Sequence, residues 1–595
     1  MLLLKNKFTR LLLALLIIYI AWSVLINLVN LDKNINEEAL VPCLFLLPPV
    51  GFLLIGVILA KFLESAIVVG VVRRIAHRKN RDKPKGGAMP YIIAALGIAS
   101  LGIFLSYFNI ADLDLWARLV QGASIWNTGH LIHKDIFAFT PVLGEYIDHE
   151  WGSGLIFFTL LKLFGPASLL LLKVMLGVTA LSFAIAVGRL FKVRWTTLFF
   201  LAIPCALTIF PGYEPVVRSH AFTYPFFAIT LLCLEAVRRG KRWPAFIVVI
   251  IMALWTNLHG GFVSGLGIIT LYALEEHLSG RKTHLIALTL LFAVLSTFIN
   301  PYGIKLWGYL IPALLMARSS ITEWAPMPLF GPDIFFGFRI LFVMAAIFVI
   351  AGWRKVNERP LEALILIITA YLAFRHMRHA PFFGLASAAF LGIFLESALD
   401  RVKKYIPAVF NKVNFMAVTL AAYLLITAGV ILAILPMVRW NVITPSVFFP
   451  VRPVDILLES KAKGNLVISF GWGNYAMWRL HPNVKISICG RYEAMYPEST
   501  FLMNEDFFLR KGNDWDRMFR QCKVDFIIFN FTKVRPRPED IDKLGFDMVW
   551  TDGYSALFAR KELVPALREA EKGLPPASKD PLDARIPDGW WKQNI

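Results

Sequence analysis

The chain has 595 residues, with 61 Lys plus Arg against 41 Asp plus Glu, a net charge of +20. Hydrophobic residues make up 57% and charged residues 17%, whereas soluble domains run at roughly 45–50% apolar and about 25% charged; mean hydropathy is +0.61. These values exclude a disordered, collagenous or disulfide-scaffold chain and leave a polytopic membrane protein, whose basic excess belongs in cytoplasmic loops rather than on nucleic acid.

At the N-terminus, Lys5, Lys7 and Arg10 precede an apolar run from Leu11 to Val29. The run is longer than the ~7–15-residue core of a secretory signal, and no small-x-small cleavage site follows, so an uncleaved anchor is expected. A spanning helix needs about 20 mostly apolar residues. Thirteen segments qualify as candidates: 11–30, 41–72, 91–108, 167–190, 195–211, 221–237, 244–258, 262–277, 285–300, 334–352, 361–374, 381–398 and 414–436. Residues 151–190 hold one crossing or two, broken at Phe164-Gly165-Pro166. One crossing keeps the basic stretches 190–194 and 238–242 on the same side, so 151–164 is expected to be a half-helix or an interfacial helix.

The loops set the orientation. Residues 73–85 carry seven basic residues and one acid, and 277–284, 353–355 and 400–404 are basic too; that side is expected to be cytoplasmic. Loop 109–150 falls opposite, with six acids (Asp112, Asp114, Asp135, Glu145, Asp148, Glu150) and two bases (Arg118, Lys134). The N-terminus is then inside and the C-terminal part outside. Within the loop, Trp116, Leu119, Ile125 and Trp126 have helical spacing, which predicts an amphipathic helix on the membrane surface.

From about residue 437 the composition changes. Short β-type runs (Leu466–Phe470, Val484–Ile488, Phe526–Phe529, Met548–Thr551, Ala556–Ala559) alternate with charged helical segments, the pattern of a small α/β domain. The expected organisation is an added helical pair with a basic loop over 1–87, a helical membrane domain over 88–436, and an extracytoplasmic α/β domain over 437–595 with a Pro-rich tail. Cys43, Cys205 and Cys233 lie in apolar runs; Cys489 and Cys522 lie in the C-terminal part, where an outside location would allow them to pair.

Polar residues that are costly near a bilayer mark function, and here they collect on the predicted outer side. Asp112 and Asp114 follow a spanning helix directly. Arg218 sits at the outer end of 195–211 with Ser219 and His220. His259 lies between two apolar helices, in a WTNLHGG stretch whose glycines also suit close packing. An NPYG turn at 300–303 is followed by ITEW, with Glu323. Arg375, His376, Arg378 and His379 form a cationic cluster against the positive-inside trend, a pattern that attracts an anion: a phosphate, which Arg holds in a forked geometry, or lipid head groups. A strand, a Gly-Trp-Gly turn, a helix and a second strand lead to Arg491 and Glu493, as a ligand site or as a packed core with a structural Arg.

Together these residues resemble the GT-C class of membrane glycosyltransferases, which use polyprenyl-phosphate-linked sugars and include protein O-mannosyltransferases, aminoarabinose transferases and oligosaccharyltransferases. The match covers about 88–500 and is carried by Asp112-Leu-Asp114-Leu-Trp116, Gly122, Asp135-Ile-Phe137-Ala-Phe-Thr140, His149-Glu150-Trp151 and the NxHGG, NPYG, EW and RHxRHAPxF elements in order. The chain departs from the class in having two helices and a basic loop before the acidic loop.

The resemblance implies an α-helical GT-C-like fold of about 13 spans. It implies an enzyme of a bacterial inner membrane that moves a sugar from a polyprenyl phosphate to a glycan, lipid or protein acceptor, with inversion. A carboxylate of the pair, Asp114 or Asp112, would take the acceptor proton. Arg375, Arg378, His376, His379 and Arg218 would hold the donor phosphate. His149, Glu150, His259, Glu323 and Arg491 would contact substrate. Some members of the class hold a divalent ion on outer-face acids, so Asp112, Asp114, Asp148, Glu150 and Glu323 are candidate ligands for Mg²⁺ or Mn²⁺; others work without one. Two other readings remain: a polysaccharide polymerase or ligase, or a non-catalytic scaffold of an envelope assembly system.

Overall fold

The computed structural model describes residues 88–575, apart from 215–216, 281–283, 317–321, 331–332, 403–413 and 492–493. The expected helices 11–30 and 41–72, the basic loop 73–85, Arg281, Lys282, Glu493 and the tail beyond 575 lie outside the described residues.

The chain begins with α1 (Met89–Tyr107), α2 (Leu115–Thr128), α3 (Trp151–Phe164), α4 (Ala167–Leu190) and α5 (Trp195–Ile209). It continues through α6 (Thr223–Arg238), α7 (Trp243–Leu258), α8 (Phe262–Leu278), α9 (Leu285–Ser296) and α10 (Lys305–Leu315). The helical part closes with α11 (Phe336–Ala351), α12 (Pro360–Arg375), α13 (Ala380–Val402) and α14 (Phe415–Ala433). Six are long and apolar enough to cross a membrane: α1, α4, α13 and α14, and α5 and α6 with the short 3₁₀ turns that extend them. All eleven spans expected in this region are helices, but α7, α9 and α11 are apolar and shorter, and α12 has only 16 residues. Helix α3 stops at Gly165, whose φ of +74° closes it just before Pro166, the break expected there. Large side chains such as Leu425, Leu432 and Ile350 stand exposed on the outer helix faces, as lipid-facing surfaces require.

Helix α2 is a correction. Its residues from Leu115 through Ser124 are buried, so it is not an amphipathic helix lying on a surface. The reason is that both its faces are covered, by α3 on one side and by a helix of the C-terminal domain on the other. The α2–α3 crossing depends on glycine: a Cβ on Gly122 would sit 2.1 Å from the Gly154 carbonyl oxygen, and one on Gly154 would sit 2.5 Å from that of Arg118.

The C-terminal part is an α/β domain built from α15 (Val451–Glu459), β1 (Gly464–Ile468), α16 (Phe470–Leu480), β2 (Val484–Ile486), α17 (Glu498–Leu509), β3 (Phe526–Asn530), β4 (Phe546–Thr551), β5 (Ser555–Arg560) and α18 (Val564–Gly573). The sheet order is β2-β1-β3-β5-β4. β1 runs parallel to β2 and β3, with Leu466 opposite both Ile486 and Phe526, and β5 is antiparallel to β3 and β4. All five strands fall where the β-type runs predict. The Gly-Trp-Gly segment is not a turn: Gly471 to Gly473 lie inside α16, because Gly473 allows that helix to press against the Ile488 carbonyl, 1.9 Å from where a Cβ would stand.

Loop 109–150 belongs structurally to both parts. The Phe139 N–H donates to the Ile486 carbonyl at 3.1 Å, the Ile486 N–H donates to the Phe137 carbonyl at 2.9 Å, and the Ala111 N–H donates to the Ile443 carbonyl at 2.8 Å. One apolar core runs from α2 and α3 through to β1, β2 and α16. A second fills the helical bundle.

Candidate functional site

A cavity of about 1270 Å³ opens between the helix ends and the α/β domain. Its polar wall is built at chain breaks. Asp112 and Asp114 follow α1, His259 is the extended residue that ends α7, Arg378 and His379 lie in the 3₁₀ turn after α12, and Arg218 precedes the turn into α6. Its apolar wall runs down α8 and α12, along Ile268, Leu271, Ile368 and Leu372. Side chains of the α/β domain, including Asn474, Phe501, Phe508 and Lys533, close the far side.

Arg218 is the centre of the polar wall. Its Nη1 lies 2.7 Å from Glu323 Oε2, its Nη2 3.1 Å from Asp114 Oδ2, and its Nε 3.3 Å from Asp112 Oδ1. Asp112 Oδ1 also accepts the Asp114 N–H at 2.8 Å, which sets the angle between the two acids. Asp112 is buried, whereas the Asp114 side chain is 48% exposed and faces the cavity. Burial raises Asp112 to about 7, against the pull of Arg218. Burial also raises Asp114, with Arg218 again opposing. Arg378 reaches Glu323 Oε1 at 3.2 Å and lies over the Trp324 ring at 4.6 Å. Burial opposes the Glu323 charge, but Arg218 and Arg378 outweigh it and hold the carboxyl well below its usual range.

A second group adjoins the first. Glu150 lies 3.5 Å from Arg118 Nη1, 3.6 Å from His149 Nε2 and 3.5 Å from His259 Nε2. Burial opposes its charge, yet Arg118, His149 and His259 hold it at about 2. Arg118 is also paired with Asp148. His259 Nδ1 accepts from the Gly261 N–H and from the Thr223 hydroxyl, each at 2.8 Å. That leaves Nε2 as the protonated nitrogen, directed at Glu150. Burial keeps this imidazole neutral, pushing it down to about 3.

The sequence motifs supply the supports. Trp151 Nε1 donates to Asn257 Oδ1 at 2.9 Å, joining the HEW and NLHGG elements. The Asp148 N–H donates to the Tyr302 hydroxyl at 3.1 Å, which fixes the NPYG turn against the acidic loop. Gly490 packs over the acids: a Cβ there would meet Asn474 Nδ2 at 2.4 Å and Asp114 Oδ1 at 3.1 Å.

Of the residues singled out from sequence, Asp112, Asp114, His149, Glu150, Arg218, His259, Glu323, Arg378 and His379 line this one cavity. Three do not. Arg375 is exposed on the last turn of α12. His376 turns away to donate from Nδ1 to the Trp324 carbonyl at 2.6 Å, so it holds the EW element in place. Arg491 is buried in an ion pair with Asp135, with Nε 3.1 Å from Cys489 Sγ, and lies between the Phe137 and Tyr146 rings. It ties the acidic loop to the α/β domain and is a structural residue. Cys489 and Cys522 are both free thiols. Sequence reasoning missed Arg118, Thr223 and Asn474 as site residues. Arg118 had a signal, since it stands four positions after Asp114 on the first turn of α2. Thr223 and Asn474 had none.

The acids do not fit a divalent ion as they stand. Asp112 meets Nε of Arg218, Asp114 meets Nη2, and Glu323 spans Nη1 and Nη2, so they are spread along a guanidinium rather than set around one point at the 2.0–2.6 Å reach of Mg²⁺ or Ca²⁺ ligands. Among the described residues, no three His, Cys, Asp or Glu side chains are grouped to hold a metal.

No protein-family model and no curated protein matches the chain. Among solved structures, it is similar to the crystal structure of the Archaeoglobus fulgidus oligosaccharyltransferase in complex with Zn and sulfate. The identity is 13% and the TM-score 0.45, over 80% of this chain and 70% of that one.

Proposed function

We propose that the chain is a GT-C-like membrane glycosyltransferase of a bacterial inner membrane, with the cavity on the extracytoplasmic side. It moves a sugar from a polyprenyl-phosphate donor to a glycan, lipid or protein acceptor. The observation that carries this reading is the composition of one cavity: acids and guanidinium groups at the helix ends, continuous with an apolar wall down α8 and α12. A substrate with a charged head and a long apolar tail matches both surfaces at once.

In this reading the prenyl tail lies along Ile268, Leu271 and Ile368, and the phosphate meets Arg378, with Arg218 behind it. Asp114, the more exposed acid, takes the proton of the acceptor hydroxyl. The acceptor oxygen then forms its bond to the anomeric carbon. The bond from that carbon to the phosphate oxygen breaks, and the electron pair leaves with the polyprenyl phosphate, whose charge the guanidinium groups stabilise. Attack opposite the leaving group inverts the anomeric centre. Glu323 holds both arginines until the phosphate arrives, and Glu150 with Arg118 and His259 fixes the floor beneath the pair. Arg375 has no part in this scheme.

The experiment is sugar transfer by the purified full chain in liposomes containing polyprenyl-phosphate-linked hexoses, with product followed by mass spectrometry. Transfer from at least one such donor supports the reading. Donor binding without transfer to any glycan, lipid or peptide acceptor would point to a scaffold.

A further inference from the structure

The basic stretches at 190–194, 238–242 and 353–359 play no part in the chemistry above, yet they meet. At the ends of α4 and α6 and the start of α12, opposite the cavity, Lys192, Arg238, Arg239 and Arg359 line a second pocket of about 360 Å³ with Leu190, Phe191 and Glu235. The pocket and the cavity lie at opposite ends of the same helices: α6 runs from Thr223, in the cavity wall, to Arg238, and α12 from Pro360 to Leu372, again in the cavity wall.

Among the described residues, the one acid in the pocket wall is already used. Glu235 Oε1 accepts from Arg238 at 2.8 Å and from the Tyr272 hydroxyl at 2.7 Å, and Oε2 is paired with Arg239. Arg238 is further neutralised from behind by Glu362 at 3.0 Å and Glu275 at 3.5 Å. Arg359 and Lys192 have no carboxylate within ion-pair distance among the described residues. Two guanidinium groups face one ring: Arg239 lies 4.5 Å and Arg359 5.1 Å from the Phe191 centroid. Two cations gathered at one ring, only one of them paired with a carboxylate among the described residues, favour an anion beside them. Lys192, at φ +63°, adds a third cation. The level is that of a membrane boundary: Trp353 is exposed, and Trp195 carries Arg189 at 4.6 Å, as interfacial aromatic belts do.

The geometry points to a binding site, on the membrane face opposite the cavity, for the phosphate of an anionic membrane lipid, held by Lys192, Arg239 and Arg359. A lipid rather than a free anion is the fitting ligand because the pocket opens at the ends of the spanning helices α4 and α6, where a head group sits with its acyl chains along the helices. Basic pockets between spanning helices bind such head groups. This inference is independent of the proposed reaction.

The test is native mass spectrometry of the full chain from detergent, with phosphatidylglycerol or phosphatidylcholine added. The wild type should retain phosphatidylglycerol in preference to phosphatidylcholine. Lys192→Gln with Arg359→Gln should weaken that binding by roughly 10- to 30-fold, and Arg359→Lys should largely keep it. Lys241→Gln with Arg242→Gln, two exposed residues on the same face outside the pocket, should change little. A thermal midpoint matching wild type confirms that each variant is folded. Equal retention of the two lipids, equal loss in both double variants, or displacement of the lipid by millimolar inorganic phosphate would overturn the assignment; the last result would make the site one for a free anion.

Discussion

Arg218 and Glu323 form a forked ion pair, Nη1 to Oε2 at 2.7 Å and Nη2 to Oε1 at 3.3 Å. The pair joins the turn before α6 to the segment before α11, and the remaining face of the same guanidinium carries Asp112 and Asp114. One guanidinium therefore contacts all three acids of the wall. Replacing Arg218 with Met leaves those acids without it, and breaking a mostly buried ion pair costs about 3–5 kcal/mol. The lower end is expected, because Glu323 keeps Arg378 and is partly exposed. A large fall in thermal midpoint in detergent, and loss of transfer, is the expected result.

The same relationship bears on metals. With Arg218 in the fork, transfer should survive a chelator such as EDTA. Loss of activity in EDTA, restored by Mn²⁺ or Mg²⁺, would mean that an ion displaces Arg218 from the acids during turnover.

Arg378 and Arg375 separate a cavity residue from an exposed neighbour. Arg378→Gln should weaken donor binding roughly 10-fold or more, the scale of one charge-assisted contact to phosphate. Arg375→Gln should leave donor binding within about twofold, because the side chain lies outside the cavity. Titration of a fluorescent polyprenyl phosphate against each variant checks both.

The acids also predict a pH dependence. Asp112 rises from 3.8 to about 7 on folding, so the folded state binds this proton more tightly than the unfolded state. Its contribution to stability is then favourable at low pH and is lost as pH climbs from about 4 through 7. Glu150 behaves oppositely, since its carboxyl is held at about 2, and its contribution is lost only as pH falls below about 4.5. Comparing thermal midpoints of wild type and Asp112→Asn between pH 4 and 8 isolates the first group. The wild-type curve should fall relative to the variant across that window; parallel curves would place the Asp112 proton elsewhere.

Gly154→Ala tests how the acidic loop is held. The new methyl would stand 2.5 Å from the Arg118 carbonyl oxygen, so α2 and α3 must separate. Overpacking of this kind costs about 1–3 kcal/mol. Because Arg118 pairs with Asp148 and Glu150 from the displaced turn, activity should fall further than stability alone accounts for.

Much of this architecture is legible in sequence where one physical signal dominates. Long apolar runs locate α4, despite Lys173 within it, and α13; Gly165-Pro166 marks the end of α3, and short β-type runs locate all five strands. The failures occur where tertiary contacts decide. Helix α2 has a surface-like spacing, but α3 and α16 cover both its faces. Gly471 and Gly473 read as a turn because a helix containing them is costly in isolation; close packing on Ile488 is what requires Gly473. Arg375 and Arg378 look equivalent in the chain, and the 3₁₀ turn at Met377–His379 sends only the second into the cavity. Arg491 reads as a ligand, while its partner Asp135 lies 356 positions earlier, a separation that no local pattern encodes.

In the proposed reaction an acid at the end of α1 takes the proton of the acceptor. Asp114→Asn preserves side-chain size and removes the charge. Its most direct test is the single-turnover rate of sugar transfer from a polyprenyl-phosphate donor in liposomes, measured beside Asp112→Asn and wild type at equal donor occupancy. Asp114→Asn should lose about 10²–10⁴-fold in rate, with a donor affinity and thermal midpoint close to wild type. Full transfer rates in both variants would contradict it.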